Sequence, residues 1–576
     1  MNNNRFIFAL ALGMFGYLLW QQWQSDYYSA PVAPTSSAAE VTPEASSTPQ
    51  ELPTSTAAAQ PSSGETPPSG EPLASANAPV SEAEAGQVRV ITDLFDLDIS
   101  LAGADIQRAQ LRRYPIALGA TELVTLVDAK PQTHWLKTQS GLTASAGKAP
   151  SHLDVYQSPA SSVTMNEGQA TLEVPFLWQD ASGVQVRKIY RFERGSYAIS
   201  VRFEVNNSSG APWSAFSYRQ LQQIPPEVPK SSFFSSPAAF SFIGSAIYSN
   251  ENKFEKLAFG DYPDEPLNRG IVAGWMALLR HHFFVAWIPP AAQANQYSTV
   301  VLEASGQLPT RYLIRQASPQ QTVAAGATAR FESRLYIGPK MQSTLDSVAP
   351  GLAKTIDYGK VTIFSEPLFW LLDQLHSLTN NWGWAIVLLV LLIKIVFYKL
   401  SEIQFRSGAR MKLLAPKLEE IKRRHADDRQ KQAQAQMELF AKEKVNPLAG
   451  CFPILLQFPI FIGLYWVLAD SVELRQAPFI FWLKDLTAAD PYFVLPVLNA
   501  AVMYVTQRMT PMTGIDPIQQ KVFQFMPLIF GVMMAFFPSG LVLYWTLNGL
   551  LGLAQQLYIT RKIEREGTNK KALARA

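Results

Sequence analysis

A single lysine inside a long apolar run constrains this chain more than any other feature of its sequence. Nine consecutive aliphatic residues precede Lys394, and four apolar residues separate it from the next cation, Lys399. A lysine at the centre of a membrane helix costs roughly 2.5–3.5 kcal/mol on insertion scales, so such a charge is usually kept in a polar cavity. Lys394 is also one helical turn from Tyr398, close enough for its butyl stem to carry the ammonium to the headgroups. The sequence does not choose between a hydrated cavity within the bilayer and a side chain that snorkels to the headgroups.

The composition fits a membrane core joined to a sizeable soluble domain. The 576 residues are 48% hydrophobic and only 16% charged, which suits neither a wholly soluble enzyme nor a compact transporter. The net charge of +3 is too small to predict direct nucleic-acid readout. The one cysteine, Cys451, excludes intrachain disulfides and a thiolate metal cluster. We predict no catalytic pair, no cofactor and no metal site.

Residues 1–28 are predicted to be an uncleaved signal-anchor helix. Fifteen apolar or small residues follow Arg5, and the run ends in an aromatic belt at Trp20 and Trp23. A cleaved signal peptide is the alternative, because residues 30–33 resemble a cleavage site. Residues 29–87 are rich in Ala, Pro, Ser, Thr and Glu and are predicted to be a disordered linker, since such a segment buries too little apolar surface to offset its ordering entropy.

Alternation of apolar and polar side chains predicts a large antiparallel β-sandwich over residues 88–340. Residues 184–192 and 197–205 alternate on either side of a Gly195 turn, which is the pattern of a β-hairpin. Similar runs recur at residues 169–178, 274–287, 298–304, 312–316 and 329–337. A strand would point the adjacent His281 and His282 to opposite faces, so we predict sheet residues and not metal ligands. The sequence does not choose among sugar, peptide and protein as a ligand of this domain.

Residues 341–381 are predicted to connect the β domain to the membrane and to end in an amphipathic interfacial helix. Ser365 is a favourable N-cap, and Pro367 is tolerated in a first turn. One face carries an apolar stripe of Leu368, Leu371, Leu372, Leu375 and Leu378. This stripe ends directly against the membrane boundary at residues 380–382, which favours a helix lying in the interface over one packed on the soluble domain.

Residues 382–562 are predicted to form a core of five membrane helices. The apolar segments are residues 382–398, 451–468, 492–506, 523–537 and 541–558. Several are near or below the ~20 residues that cross the hydrocarbon, which predicts local thinning of the bilayer. With the N-terminal anchor they give a polytopic α-helical membrane protein of six transmembrane helices. No clear internal repeat is present, which weakens the case for an alternating-access transporter.

The distribution of charge predicts the orientation of this core. Residues 399–444 contain twelve Lys or Arg and seven Asp or Glu, and the tail after Thr560 contains six and two. The loop at residues 470–490 contains two basic and four acidic residues. The positive-inside rule therefore places both termini, the segment 399–446 and the basic tail 563–576 in the cytoplasm. The β domain is then periplasmic.

The cytoplasmic segment 399–446 is predicted to be a helical hairpin. Residues 411–424 and 428–444 have helical patterns, and Asp428 suits the start of the second helix. Its basic side chains include Lys412, Lys417, Lys422, Arg423 and Arg424. The hairpin is longer than topology alone requires, so we interpret it as a docking element. A solvated loop that only fixes topology is the alternative.

Four motifs in the core resemble signatures of the YidC family of membrane protein insertases. They are residues 444–466 (KVNPLAGCFPILLQFPIFIGLYW), 472–479 (VELRQAPF), 482–486 (WLKDL) and 537–544 (FPSGLVLY). The resemblance covers residues 360–562 closely, and the anchor, linker and large β domain match the Gram-negative branch in layout. It implies a non-enzymatic insertase and chaperone that inserts nascent inner-membrane proteins, alone or with the Sec translocon.

The resemblance also implies roles for individual residues. Lys394 takes the position of a groove cation that is usually Arg in the family, and Val390 stands where relatives carry Thr. The implied hydrophilic groove, open to cytoplasm and lipid, contains Lys394, Gln457, Thr546 and Asn548. The implied contacts to incoming substrate helices are Tyr544, Trp545 and Phe458. Relative to the family, this chain lacks the bidentate guanidinium of Arg at position 394 and the hydroxyl of Thr at position 390.

The partners implied by the resemblance are nascent membrane proteins, the Sec components SecYEG and SecDF, and the lipid bilayer. The ribosome and the targeting machinery are expected to meet the cytoplasmic hairpin and tail. The alternative function is a polytopic small-molecule transporter or channel with a ligand-binding periplasmic domain. A transporter requires a continuous polar path, whereas Lys394 is the only clear charge within the apolar segments.

Overall fold

The computed structural model describes residues 86–129, 135–226, 241–304, 309–356, 358, 361–425, 428–443, 452–509 and 517–573. The predicted signal anchor at residues 1–28 lies outside the described residues, and so does all but the last two residues of the predicted linker 29–87. The first strand already begins at Gln87.

Two β-sheets form the N-terminal part of the described chain. One sheet has eleven strands: β1 (Gln87–Ile91), β2 (Phe95–Ser100), β3 (Ile106–Pro115), β4 (Leu123–Asp128), β5 (Leu136–Ala144), β6 (Ser162–Thr164), β10 (Trp213–Gln223), β13 (Asn268–Val272), β16 (Ala294–Leu302), β17 (Arg311–Ala317) and β18 (Gln321–Val323). The other has eight: β7 (Thr171–Gln179), β8 (Val184–Glu193), β9 (Ala198–Asn207), β11 (Gly244–Ser249), β12 (Lys253–Leu257), β14 (Trp275–Leu279), β15 (Phe283–Ile288) and β19 (Thr328–Pro339).

The antiparallel prediction is confirmed for every described strand pair except β1 with β6, which is parallel. The predicted hairpin is present, with Val186 opposite Val205 and Tyr190 opposite Val201. Alternate residues of both strands are buried, because a pleated strand turns successive side chains to opposite faces. Apolar side chains from the two sheets form a large core and a second, smaller cluster, which explains why a domain of this size holds together without a disulfide.

The prediction that His281 and His282 lie in a strand on opposite faces is wrong. The apolar run at residues 274–287 is two strands, β14 and β15, and both histidines occupy the turn between them. A turn does not alternate its side chains, and the two rings lie 3.7 Å apart, centroid to centroid. His281 Nε2 is 3.0 Å from Asp470 Oδ1. In the part of the chain that is described, no cluster of His, Cys, Asp and Glu is arranged to hold a metal ion.

Helices make up the C-terminal part. They are α1 (Gln342–Val348), α2 (Thr362–Thr379), α3 (Trp382–Val396), α4 (Tyr398–Arg424), α5 (Arg429–Lys442), α6 (Phe452–Asp470), α7 (Val494–Met509), α8 (Pro517–Met534) and α9 (Ser539–Leu573). Each of the five apolar segments of the predicted core overlaps one of these helices, and the first, residues 382–398, extends past the break at Phe397 into α4. A second apolar core joins α2, α3, α6, α7, α8 and α9.

By length and composition, no single described helix is sufficient to cross a membrane. The pair formed by α3 and the first part of α4 meets that test jointly, with a 67° bend between them. Residues Gln457–Asp470 and Gln524–Met534 are shorter apolar helices. The count of six transmembrane helices therefore stays a prediction.

The expected N-cap at Ser365 is wrong. Helix α2 begins earlier, at Thr362, so Ser365 lies inside it and is fully buried. The hydroxyl of Ser365 donates to the carbonyl oxygen of Gly463 on α6, at 3.0 Å. Gly463 has no side chain to separate the two helices, so a small polar residue suited to capping serves here as a link between helices.

The loop that follows α6 joins the helical core to the β domain. Asp470 accepts a hydrogen bond from Ser241 Oγ at 3.2 Å and contacts His281. Glu473 accepts from the backbone N–H of Gln342 at 2.9 Å. We call residues 470–476 the joint loop.

The joint loop also holds the β3–β4 hairpin. Arg475 donates through Nη2 to the carbonyl oxygens of Pro115 and Ile116, at 2.8 and 3.0 Å. Gln476 Nε2 donates to the same Pro115 oxygen at 3.0 Å. The guanidinium also lies 5.7 Å from the ring centroid of Phe283, a cation–π contact. These three hydrogen bonds end on two carbonyl oxygens, so the turn end of this hairpin is fixed to the end of the core.

Candidate functional site

Lys394 lies in the last turn of α3 and points at a glycine of α9. A Cβ built on Gly552 would be 3.4 Å from Lys394 Nζ, so the ammonium lies directly against the α9 backbone. The described residues provide no carboxylate within ion-pair distance of this ammonium. Lys394 is half-buried. A half-buried charge with no counter-ion requires water or an incoming acidic group as its partner.

Two amide side chains extend the polar surface next to Lys394. Gln457 of α6 and Asn548 of α9 approach to 3.5 Å, Nε2 to Oδ1, and both are half-buried. Gln555, two turns further along α9, donates through Nε2 to the carbonyl oxygen of Tyr398 at 3.3 Å. Tyr398 is the first residue of α4. This hydrogen bond therefore links α9 to the start of α4, just beyond the bend that follows Lys394.

Asn548, Gly552 and Gln555 share one face of α9, at the i, i+4, i+7 spacing of a helical stripe. We define the groove as this face together with Lys394 and Gln457. Sequence reasoning missed both residues: Gly552 has no polar side chain, and Gln555 lies near the end of the predicted apolar segment 541–558. The i, i+4, i+7 spacing from Asn548 is the signal that finds both.

Thr546, predicted as a groove residue, lies on a different face of α9. It is buried, and its hydroxyl donates to the carbonyl oxygen of Val542 in its own helix at 2.7 Å. The same hydroxyl is 3.5 Å from the carbonyl oxygen of Leu495 on α7. Thr546 therefore packs against α7, and the structure does not bring it together with Lys394.

The predicted substrate-contact residues differ in how accessible they are. Phe458, on α6 beside Gln457, is 45% exposed. Trp545 is half-buried and stacks on Phe461, with ring centroids 4.8 Å apart. Tyr544 is only 1% exposed and interacts with the Gln457 side chain. An aromatic surface thus lies beside the groove, and Phe458 is its accessible member.

Helices α4 and α5 form the basic hairpin, and Asp428 caps α5. Its Oδ1 accepts from the N–H groups of Gln430 and Lys431, both at 3.0 Å. Lys417 Nζ joins the two helices through Glu443, at 2.6 Å, and Arg424 pairs with Glu420 of its own helix. Leu414 and Leu418 form a small buried apolar cluster. Among the predicted docking residues, Lys422, Arg423 and Arg424 are exposed, while the side chain of Lys412 lies outside the described residues.

Comparison with known proteins identifies the family. The family model described as 60Kd inner membrane protein matches residues 374–566, and the model described as YidC periplasmic domain matches residues 87–371. A protein of Nitrosococcus oceani named membrane protein insertase YidC is 41% identical over 571 residues, covering 98% of this chain and 100% of that protein. This chain belongs to the YidC family.

A second curated relative agrees with that assignment. A Xanthomonas euvesicatoria protein, also named membrane protein insertase YidC, is 43% identical, covering 98% of each chain. A crystal structure described as an active YidC insertase with its first transmembrane domain resolved aligns at 18% identity with a TM-score of 0.37, over 81% of this chain and 91% of that one. Family membership makes the β domain a YidC periplasmic domain and the chain an inner-membrane protein.

Proposed function

We propose that this chain is a membrane protein insertase in which the groove receives the hydrophilic segment of a nascent membrane protein. The observation that carries the proposal is the polar surface of Lys394, Gln457 and Asn548 set among apolar helices, with its cation lacking a counter-ion in the described residues. The names of relatives at 40–43% identity over nearly the whole chain support the insertase function.

The membrane placement follows the charge distribution. Twelve basic residues between Lys399 and Lys444 place the α4–α5 hairpin in the cytoplasm, and the acidic joint loop lies on the periplasmic side. Six transmembrane helices, counting the N-terminal anchor, return both termini to the cytoplasm. Helix α2, with Ile363, Trp370 and Leu378 exposed, lies in the periplasmic interface.

In this mechanism the groove lowers the free-energy barrier for moving the polar backbone of a substrate across the hydrocarbon core. An unpaired polar group in the bilayer core costs several kcal/mol. Hydrated side chains in the groove replace part of the water that a hydrophilic segment loses. Short helices also thin the hydrocarbon layer that this segment must cross. The apolar segment of the substrate then moves past Phe458 and Trp545 into lipid, its stable solvent. Partitioning supplies the driving force.

The partners follow from the same placement. The exposed cations Lys422, Arg423 and Arg424 form a cytoplasmic surface suited to the ribosome and the targeting machinery. The periplasmic domain and the lipid-facing helices are the surfaces for SecYEG and SecDF. Nascent inner-membrane proteins are the substrates.

An insertion assay in proteoliposomes tests the proposal. The purified chain is reconstituted, and a small membrane protein with an acidic translocated segment is presented, with protease protection as the measurement. We expect Lys394→Arg to insert this substrate nearly as well as wild type and Lys394→Ala to insert it about tenfold more slowly, the factor for ~1.4 kcal/mol of lost attraction.

A neutral version of the same substrate is the matched control. We expect it to insert at similar rates with all three proteins, because the groove without its cation is still polar. Equal loss of both substrates in Lys394→Ala, with the protein folded, would assign Lys394 a structural role. No insertion by the wild-type protein would contradict the insertase function itself.

A further inference from the structure

The turn between β3 and β4 carries two apolar side chains that are about half exposed. Residues 115–121 read Pro-Ile-Ala-Leu-Gly-Ala-Thr and contain no charge. Ile116 is 49% exposed and Leu118 is 54% exposed. Gly119, at φ +78, supplies the left-handed conformation that closes the turn. We call residues 115–121 the apolar tip.

The apolar tip is held in place and does not simply lie free on the surface. The N–H of Ile116 donates to the carbonyl oxygen of Glu122 at 2.9 Å, which keeps the strands paired up to the turn. At the base, Arg475 donates to the carbonyls of Pro115 and Ile116. Tyr114 packs edge-on against Phe283 with ring centroids 5.3 Å apart. Ordering two apolar side chains towards solvent is unfavourable unless another apolar phase receives them.

The joint loop brings the apolar tip to the ends of two core helices. Arg475 lies five residues beyond Asp470, the last residue of α6. Phe479 follows shortly after and packs so closely on Gly383, in the first turn of α3, that a Cβ there has no room. Asn381, the N-cap of α3, donates to the carbonyl oxygen of Phe479 at 3.2 Å. The tip therefore lies at the level where α3 begins and α6 ends.

Exposed aromatic residues mark the same level on the core. Phe481 is 76% exposed, Tyr492 is 70% exposed and Phe493 is 51% exposed, all in the segment between α6 and α7. Aromatic side chains at the ends of membrane helices typically sit among the lipid headgroups. Arg113, on the stem of the hairpin, has 65% of its side chain exposed, and its guanidinium lies 4.0 Å from the carboxylate of Asp93. In the proposed topology, these aromatic side chains and Arg113 lie at the depth of the periplasmic interface.

We infer that the apolar tip inserts into the headgroup region of the periplasmic leaflet, so that the β domain has its own lipid contact beside α3 and α6. The inference rests on the membrane placement given under the proposed function. The apolar tip binds the phospholipid surface of the same membrane that contains the helical core. Partial burial of Ile116 and Leu118 is favourable because it removes their apolar surface from water.

Site-directed fluorescence in proteoliposomes tests the inference. Cys451 is the only cysteine, so Cys451→Ser gives a background for single labels. An environment-sensitive NBD probe is attached at Leu118→Cys in vesicles of phosphatidylethanolamine and phosphatidylglycerol. We expect a blue-shifted emission, quenching by lipid with a doxyl group near the headgroup, and protection from aqueous iodide.

Two further labels make the result decisive. The Ser182→Cys label lies in the exposed turn before β8. Because β8 has ten residues, this turn is roughly 30 Å from Glu193 at the other end of the strand. A label there is expected to be quenched by iodide and not by doxyl lipid. Ile395→Cys, 71% exposed on α3, is expected to be quenched by doxyl lipid because the core is in the bilayer.

The outcomes separate the two claims. Doxyl quenching at positions 395 and 118 supports the inference. Quenching at 395 with a water-exposed label at 118 overturns it and leaves the topology intact. Iodide-accessible labels at both positions overturn the membrane placement and this inference together. As a check on apolar character, Ile116→Asp is expected to reduce doxyl quenching of the label at 118, whereas Val272→Asp, on an exposed strand elsewhere, is not.

Discussion

Glu473 in the joint loop is a residue whose charge state matters to the contact between domain and core. Burial raises the pKa of its carboxyl from 4.5 to about 7, although the N–H of Gln342 favours the ionised form. The folded state then binds more protons than the unfolded state between these two values. Stability from this group is therefore full below about pH 4.5 and declines as the pH rises to about 7.

The corresponding prediction concerns Glu473→Gln. The amide keeps an acceptor oxygen for the Gln342 N–H and has no proton to lose. We expect the variant to be more stable than wild type at pH 7.5, by on the order of 2 kcal/mol, and equal to it at pH 4.5. Thermal unfolding of the detergent-solubilised protein at several pH values measures this. A wild-type curve with no extra decline between pH 4.5 and 7 would contradict the pKa shift.

Gly552 is a residue where side-chain size decides the position of a charge. A Cβ at this position would lie 3.4 Å from Lys394 Nζ, an ordinary contact, whereas a longer side chain would occupy the space of the ammonium. We predict that Gly552→Ala inserts substrate as wild type does and that Gly552→Leu resembles Lys394→Ala, with about tenfold slower insertion of the acidic substrate. If Gly552→Leu inserted the acidic substrate as fast as Gly552→Ala, the Lys394 ammonium would be held elsewhere.

At the scale of elements, the α4–α5 hairpin offers a comparison of apolar and ionic contacts. Leu418 is 4% exposed in a small cluster, whereas Lys417, with 57% of its side chain exposed, bridges to Glu443. An exposed ion pair is worth roughly 0–1 kcal/mol, and a buried leucine truncated to alanine costs about 2–3 kcal/mol or more.

We therefore predict that Leu418→Ala accelerates amide hydrogen exchange in α5 by more than tenfold, while Lys417→Ala changes it by less than about fivefold. Mass-spectrometric exchange of peptides covering α5 measures both. A larger effect of the lysine substitution would mean that the hairpin is held by its charges. In that case raised salt should open the wild-type hairpin as well.

The elements also show which features follow from local sequence. The β8–β9 hairpin and the Asp428 cap were predictable, because alternation around a glycine turn and an aspartate before a helix act over a few residues. The turn containing His281 and His282 was not, since both flanking strands are apolar throughout and conceal the break. Ser365 misleads for a related reason: its hydroxyl bonds to Gly463, almost a hundred residues away.

The groove itself was only partly predictable. Lys394, Gln457 and Asn548 stand out in the sequence as polar residues within apolar segments. The opposite orientation of Thr546 depends on how α9 is rotated against α7, which follows from packing along the whole helix. Gly552 carries no chemistry of its own and becomes meaningful only when Lys394 is placed against it.

At the scale of the molecule, the joint loop makes the domain and the core one unit. Arg475 contributes hydrogen bonds to Pro115 and Ile116 and a cation–π contact to Phe283. Hydrogen bonds from a charged group are worth about 1.5–3 kcal/mol, so Arg475→Ala is expected to loosen this contact. We predict faster hydrogen exchange and easier proteolysis at residues 115–122. Arg330→Ala, an exposed arginine paired with Glu204, is the control and is expected to change neither.

The central claim is that a nascent chain passes along the groove and leaves through the accessible aromatic surface, and photo-crosslinking tests it most directly. A crosslinker at Phe458, 45% exposed beside Gln457, is compared with one at Val505, 44% exposed on α7, as ribosome-bound chains of increasing length arrive at the membrane. The account predicts adducts at Phe458 that begin when the apolar segment emerges, and none at Val505. Equal adducts at both positions, or none at Phe458 in a folded and membrane-inserted protein, would contradict it.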